Sequence, residues 1–301
     1  VALAHRLLHA SAVGPRFPNA LTTGPAAGGY GSLTPNAATS LQENPPYPSW
    51  VTVQGDGSLL VQGQDFNSGN TLVVNPVGKV IFRGCRFRPA ATFYTVQPGV
   101  DAAGPFIFEY CQASSIDSTA ANAVYYGFPL PPGSVVRRCD LSWYVAQPVI
   151  TDGNGILIDS NYIHDIVFLD TAHAEPLYFG PTTPGGSQSD VTVINNTLLP
   201  GTSDTLTAAI YMDAHGHDFD SFTITGNLLA GGSYPLYLGA FSGFTDTNLV
   251  VEDNWFSTAY YPGGGAFGYA ANAPAWGSGG NSWAGNRWYD GPLAGQLISA
   301  P

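Results

Sequence analysis

One pattern of apolar and polar positions recurs along the chain. Apolar side chains alternate with others over three residues, two residues intervene, a Cys or Asn follows, and an apolar side chain comes two residues later. It reads Val80-Ile81-Phe82-Arg83-Gly84-Cys85-Arg86-Phe87 and returns as Ile156-Leu157-Ile158-Asp159-Ser160-Asn161-Tyr162-Ile163 and Leu249-Val250-Val251-Glu252-Asp253-Asn254-Trp255-Phe256. The pivots are Cys85, Cys111, Cys139, Asn161, Asn196, Asn227, Asn254 and Asn286, spaced 26, 28, 22, 35, 31, 27 and 32 residues apart. Alternation with period two predicts a short strand before each pivot. Repetition at this spacing, with Gly/Pro/Ser/Asp-rich insertions, predicts a solenoid. Asn tolerates the left-handed backbone of a sharp turn, and its amides can bond from rung to rung. The three cysteines occupy the same pivot, so they read as small buried thiols in one turn column.

A further strand follows each pivot after a loop. Val124-Tyr125-Tyr126-Gly127, Val149-Ile150-Thr151-Asp152, Leu177-Tyr178-Phe179-Gly180, Ile210-Tyr211-Met212-Asp213 and Leu236-Tyr237-Leu238-Gly239 align column by column. Leu177 and Phe179 facing a core would put Tyr178 outward, and Tyr125, Tyr211 and Tyr237 with it. Such a row of aromatic faces with hydroxyl tips suits sugar rings; the same row would equally suit cover by long loops or by another subunit. Asp152 and Asp213 share the next column, about 9.6 Å apart at a rung spacing of about 4.8 Å, near the separation of an inverting glycosidase pair.

Residues 1–50 break the pattern. A short amphipathic stretch, 1–10, predicts a capping helix. Prolines 15, 18, 25, 35, 45, 46 and 48 then predict an arm without regular structure. The expected organisation is therefore an arm over 1–50 and a solenoid over 51–301.

Composition narrows the function. The chain of 301 residues has 37 Gly and 24 Pro, too many for a helical bundle, and 16 Tyr, 16 Phe and 6 Trp, enough for a core. Residues 1–100 carry 3 acids and 6 bases; residues 101–301 carry 18 acids and 3 bases. A nucleic-acid partner, which needs a basic face, is not expected, and no apolar run is long enough for membrane insertion. The polar loop Asp213-Ala214-His215-Gly216-His217-Asp218-Phe219-Asp220 lacks standard metal-ligand spacing. No metal or cofactor is expected, Ca²⁺ being the ion its carboxylates would suit.

The repeat over residues 51–290 resembles the right-handed parallel β-helix of the pectate-lyase-like superfamily. The stretch Asn161-Tyr162-Ile163-His164-Asp165 is similar to a motif of tail-associated β-helix proteins of actinobacteria and their phages. In those relatives His-x-Asp-Gly-x-Gln follows; here the matching place reads His173-Ala174-Glu175-Pro176-Leu177-Tyr178, which keeps the His and replaces Asp by Glu. A Lys common on their next rung is absent, with Asp213 near its place. The resemblance implies a virion-tail or extracellular protein, a homotrimer joined to other tail proteins through residues 1–50, that binds a host cell-surface polysaccharide. The alternatives are a glycoside hydrolase or polysaccharide lyase working in the same groove, with Asp152, His173, Glu175 and Asp213 as catalytic candidates, and a structural spike with the tyrosines buried between subunits.

Overall fold

The computed structural model describes residues 16–90, 94–99, 104–114, 124–167, 174–180, 186–202, 206–213, 218–240 and 244–301. The expected capping helix at 1–10 lies outside them. The chain forms an all-β parallel solenoid with three faces. The first face stacks nine parallel strands from Leu59–Gln62 to Ser282–Ala284, and the second stacks ten from Thr34–Asn36 to Arg287–Trp288. The third face is two sheets in line. Ser40–Leu41, Leu72–Val74 and Val96–Pro98 make one; Val124–Pro129, Tyr144–Thr151, Leu177–Phe179, Ala208–Met212, Tyr234–Tyr237 and Ala270–Ala271 make the other. A bridge between Tyr94 and Tyr126 joins them.

Register explains the core. Parallel strands in register place like side chains over one another at rung spacing, so apolar positions become continuous columns. Phe82 stacks on Phe108 with centroids 5.1 Å apart and Phe66 on Phe87 at 5.2 Å, while Phe128 reaches across the core from the third face to stack on Phe108 at 4.0 Å. All are buried, and each ring contributes roughly 1.5–3 kcal/mol by leaving water.

The pivots form one column at the corner between the first and second faces. Asn161 Nδ2 donates to Asn196 Oδ1 at 2.9 Å, Asn196 Nδ2 to Asn227 Oδ1 at 2.9 Å, Asn227 Nδ2 to Asn254 Oδ1 at 3.0 Å and Asn254 Nδ2 to Asn286 Oδ1 at 3.0 Å. Each amide also donates to a carbonyl of the preceding rung, as Asn161 does to Val136 and Asn196 to Ile158. Cys85, Cys111 and Cys139 direct their sulfurs to the equivalent carbonyls of Val61, Phe82 and Phe108. The thiol thus substitutes, as a weaker donor, for the amide. All three are buried free thiols, and burial pushes Cys85 and Cys111 well up in pKa.

Three expectations are corrected here. The left-handed residue of the turn is the one before the pivot, as at Tyr110, Arg138, Ser160, Asn195 and Asp253; the pivot is selected for its hydrogen bonds instead. The solenoid also begins inside the expected arm. Thr34–Asn36 and Ser40–Leu41 pair in parallel with Gln64–Phe66 and Val73–Val74, because Pro35 occupies an outermost strand, where a missing N–H is tolerated. Finally, Val51–Val53 pairs antiparallel with Leu59–Val61. With Trp50 edge-on to Phe66, it covers the first rung, and Ile298, buried and bonded to Asn286 O at 2.8 Å, helps cover the last.

The rest of the described arm runs across the second face against the direction of the solenoid. Phe17 packs on Tyr289, Gly24 N donates to Arg138 O at 2.8 Å, and Thr34 N donates to Gly63 O at 2.9 Å. Tyr30 lies over Gly84, where a Cβ would fall 2.2 Å from its ring. Residues 16–50 are therefore anchored to their own chain.

Candidate functional site

The third face carries Tyr178, Tyr211 and Tyr237 in one register column. Their strand neighbours Leu177, Phe179, Ile210, Met212, Leu236 and Leu238 are in the core, so alternation turns the tyrosines away from it. At rung spacing the rings stack on one another, with centroids 5.6 Å and 4.9 Å apart. This corrects the expected row of solvent-facing rings. Tyr211, held between two neighbours, is only 8% exposed, while Tyr178 and Tyr237 are half-buried. The ring pairing leaves edges, hydroxyls and the end of the column for a ligand. At that end Tyr237 pairs with Ala271, and Tyr234 lies edge-on to Tyr237 and tilted against Phe267. Phe267 is 69% exposed.

Tyr125 does not belong to the column. Phe128 pairs with Val149 and Pro129 with Ile150, four residues further on than the expected alignment. A bulge, with Val124 opposite Tyr144 and Tyr126 opposite Gln147, offsets the strands. Tyr125 is exposed beside Tyr126 instead.

Asp213 stands just beyond the column. Its N–H donates to Phe179 O at 2.7 Å, and it accepts the Tyr178 hydroxyl on Oδ2 at 2.5 Å. Gly180 permits this approach, because a Cβ there would lie 2.9 Å from Asp213 Cβ and 3.1 Å from the Tyr178 ring. Burial first, and then Asp213, raises the pKa of both Tyr178 and Tyr211, so both hydroxyls stay protonated and can donate.

Glu175 is fully buried next to these groups. Gln147 Nε2 donates to its Oε2 at 2.5 Å, while Oε1 has no hydrogen-bond partner among the described residues. Burial pushes the carboxyl up to about 7; bonds from Gln147 and Thr207 hold it down, and Asp213 pushes it up. Near neutral pH it is present in both protonated and ionised forms. Gln147 is in register with Tyr126, which stacks on Tyr94 at 5.4 Å. Tyr94, Tyr126 and Gln147 were not singled out from the sequence, since the bulge conceals their shared column.

Asp152 extends the register beyond Thr151 and is exposed. His173, with Asp170, His215 and His217, lies outside the described residues. His164 is on another face. Its Nε2 is 3.0 Å from Asp140 Oδ1 and its Nδ1 2.8 Å from Asp165 Oδ2. Burial opposes its charge, but the two carboxylates outweigh burial and raise its pKa. Among the described residues, no three His, Cys, Asp or Glu side chains are grouped to hold a metal ion, and no helix is long and apolar enough to cross a membrane.

Cations are placed away from the tyrosines. Glu109 bonds Arg83 and Arg137 on the first face, and Asp65 bonds Arg86 and Arg88 on the second. From Cys139 through Asn286 the sequence has fourteen Asp and Glu and neither Lys nor Arg. No family model matches this chain, nor does any curated protein or solved structure.

Proposed function

We propose that the protein binds a polysaccharide along its third face. The observation that carries this reading is the Tyr178–Tyr211–Tyr237 column, flanked by Asp213 at one side and ending at the half-buried Tyr237 beside Tyr234 and the exposed Phe267. Sugar C–H faces can stack on Tyr237, Tyr234 and Phe267, and sugar hydroxyls can bond the tyrosine hydroxyls and Asp213. The resemblance of Asn161-Tyr162-Ile163-His164-Asp165 to a motif of tail-associated β-helices supports a virion-tail or extracellular setting, with a homotrimer as the assembly. Sedimentation as a monomer at micromolar concentration would count against that setting.

A second reading, hydrolysis of the bound chain, is favoured by the state of Glu175. A carboxyl titrating near neutrality can donate its proton to the leaving glycosidic oxygen once the bound chain opens a path to it, because Glu175 is sealed from solvent in the free protein. Asp213 would take a proton from the water that attacks the anomeric carbon, so one C–O bond breaks as another forms.

A glycan array on the purified chain, with reducing-end release assayed in parallel, tests both. Tyr237→Ala should weaken the strongest array binder about fivefold or more, as expected for about 1 kcal/mol of stacking, with little change in unfolding. Hydrolysis requires that Glu175→Gln lower release by about 10²-fold or more while binding persists. Binding without release leaves the first reading alone; no binding to any glycan on the array overturns both.

A further inference from the structure

A row of aliphatic side chains lines the outward side of the first face, away from the tyrosine column. Leu60, Ile81, Ile107, Val135 and Leu157 follow one another in register on five successive rungs. Their strand neighbours Val61, Phe82, Phe108, Val136 and Ile158 are in the core, so alternation turns the five outward, where each is only half-buried. The next two rungs place Thr192 and Thr223 in the same column, so the aliphatic row is confined to one stretch of the face. An apolar stripe of this kind, rimmed by charge, marks a contact surface.

One side of the row is low. Two positions before Ile107, Val135 and Leu157 stand Pro105, Gly133 and Gly155, which raise little above the sheet. The other side is charged. Two positions after Ile81, Ile107, Val135 and Leu157 stand Arg83, Glu109, Arg137 and Asp159 in register, so the signs run plus, minus, plus, minus. Within the chain Glu109 bonds both partly exposed arginines, which leaves that group of three with one net positive charge. A two-fold axis parallel to the strands, between the rungs of Ile107 and Val135, reverses the order of the rungs and keeps each column over itself. It sets Arg83 over Asp159 of a second copy and Glu109 over Arg137, opposite signs at every meeting, and lays Ile107 on Val135 and Ile81 on Leu157. Two copies running parallel would instead set the charged column over Pro105, Gly133 and Gly155.

We infer that the first face docks a second copy of this chain in an antiparallel two-fold dimer. The contact goes beyond the polysaccharide reading and leaves the third face open; where the resemblance suggests three copies, it closes at two. Six rungs, Leu60 to Thr192, at about 4.8 Å and five strand residues at about 3.3 Å bury on the order of 1,000 Å² over both copies, the lower limit of a specific interface. Dissociation in roughly the micromolar range follows.

Sedimentation equilibrium of the full chain from about 1 to about 200 µM tests this, with a dimer expected at the upper end. Ile107→Thr with Val135→Thr installs the residue that the column already carries at Thr192 and Thr223. The pair should raise the dissociation constant about tenfold or more, with little change in the unfolding midpoint. Arg83→Glu and Asp159→Arg should each weaken the dimer about fivefold or more, and together restore it. The two positions are three rungs, about 14 Å, apart in one chain and meet only across the axis. If Arg83→Glu does not fold, the threonine pair carries the test. A monomer throughout the range, a trimer, a dimer that the threonine pair leaves unchanged, or a charge swap that fails to restore association each overturns the inference. None of these outcomes touches the polysaccharide reading, which the array judges separately.

Discussion

Asn196→Ala is expected to remove several kcal/mol of stability. Asn196 is fully buried, and its side chain makes bonds in both directions along the corner. Its Oδ1 accepts from Asn161 N at 2.8 Å and Asn161 Nδ2 at 2.9 Å; its Nδ2 donates to Ile158 O, Ile194 O and Asn227 Oδ1. Alanine leaves at least the Asn161 backbone N–H without an acceptor and strips a bond from the Ile158 carbonyl. Each buried polar group left unmet costs about 1–3 kcal/mol, so a loss of roughly 4 kcal/mol follows, against a total of about 5–15 kcal/mol for an ordinary domain. Asn196→Cys should cost less than alanine, because the chain uses the thiol itself at Cys85, Cys111 and Cys139 to reach the same carbonyl column. Guanidinium unfolding of the three proteins checks the order Asn, Cys, Ala; an alanine variant within about 1 kcal/mol of wild type would show that the ladder contributes little.

Asp246→Asn should remove a pH dependence of stability. Asp246 pairs with Phe219, whose ring is in the core, and it is 6% exposed with neither carboxyl oxygen bonded among the described residues. Burial, and secondarily Asp218, raises its pKa from 3.8 to about 7. The folded chain therefore holds a proton that the unfolded chain releases above pH 3.8, and stability falls as pH rises from about 4 to 7, then levels. A three-unit shift corresponds to on the order of 4 kcal/mol. Relative to Asp246→Asn, wild type should lose that amount between pH 4 and pH 8, followed as unfolding midpoints across the range. Parallel pH profiles would show that Asp246 ionises freely in the fold.

The solenoid was legible because rung after rung repeats one chemical requirement. Cys and Asn at the pivot share a donor and a size, and alternation on either side marks the strands. The rung built on Gln64 escaped notice since neither residue stands there; yet Gln64 follows the left-handed Gly63 and bonds Asn36 at 3.1 Å. Alternation also separated Tyr178, Tyr211 and Tyr237 from the core. It carries no information on what lies over an outward ring, so the stacking that buries Tyr211 had to come from three-dimensional register. Tyr125 was misplaced because likeness of Val124-Tyr125 to Leu177-Tyr178 is local, whereas the bulge opposite Tyr126 resets the alignment. The state of Glu175 arises from its burial and from Gln147 on the rung before it and Thr207 and Asp213 at the two ends of the strand on the rung after it, a juxtaposition that sequence distance hides.

Hydroxyl-radical footprinting of the protein, with and without its strongest array glycan, locates the binding face directly. Protection should fall on Tyr178, Tyr234, Tyr237 and Phe267, with oxidation of the first-face Trp283 and of the exposed Trp143 unchanged. Protection of Trp143, or of the arm at Phe17 and Tyr30, with Tyr237 and Phe267 oxidised as before, would place the ligand on another surface and contradict a third-face site.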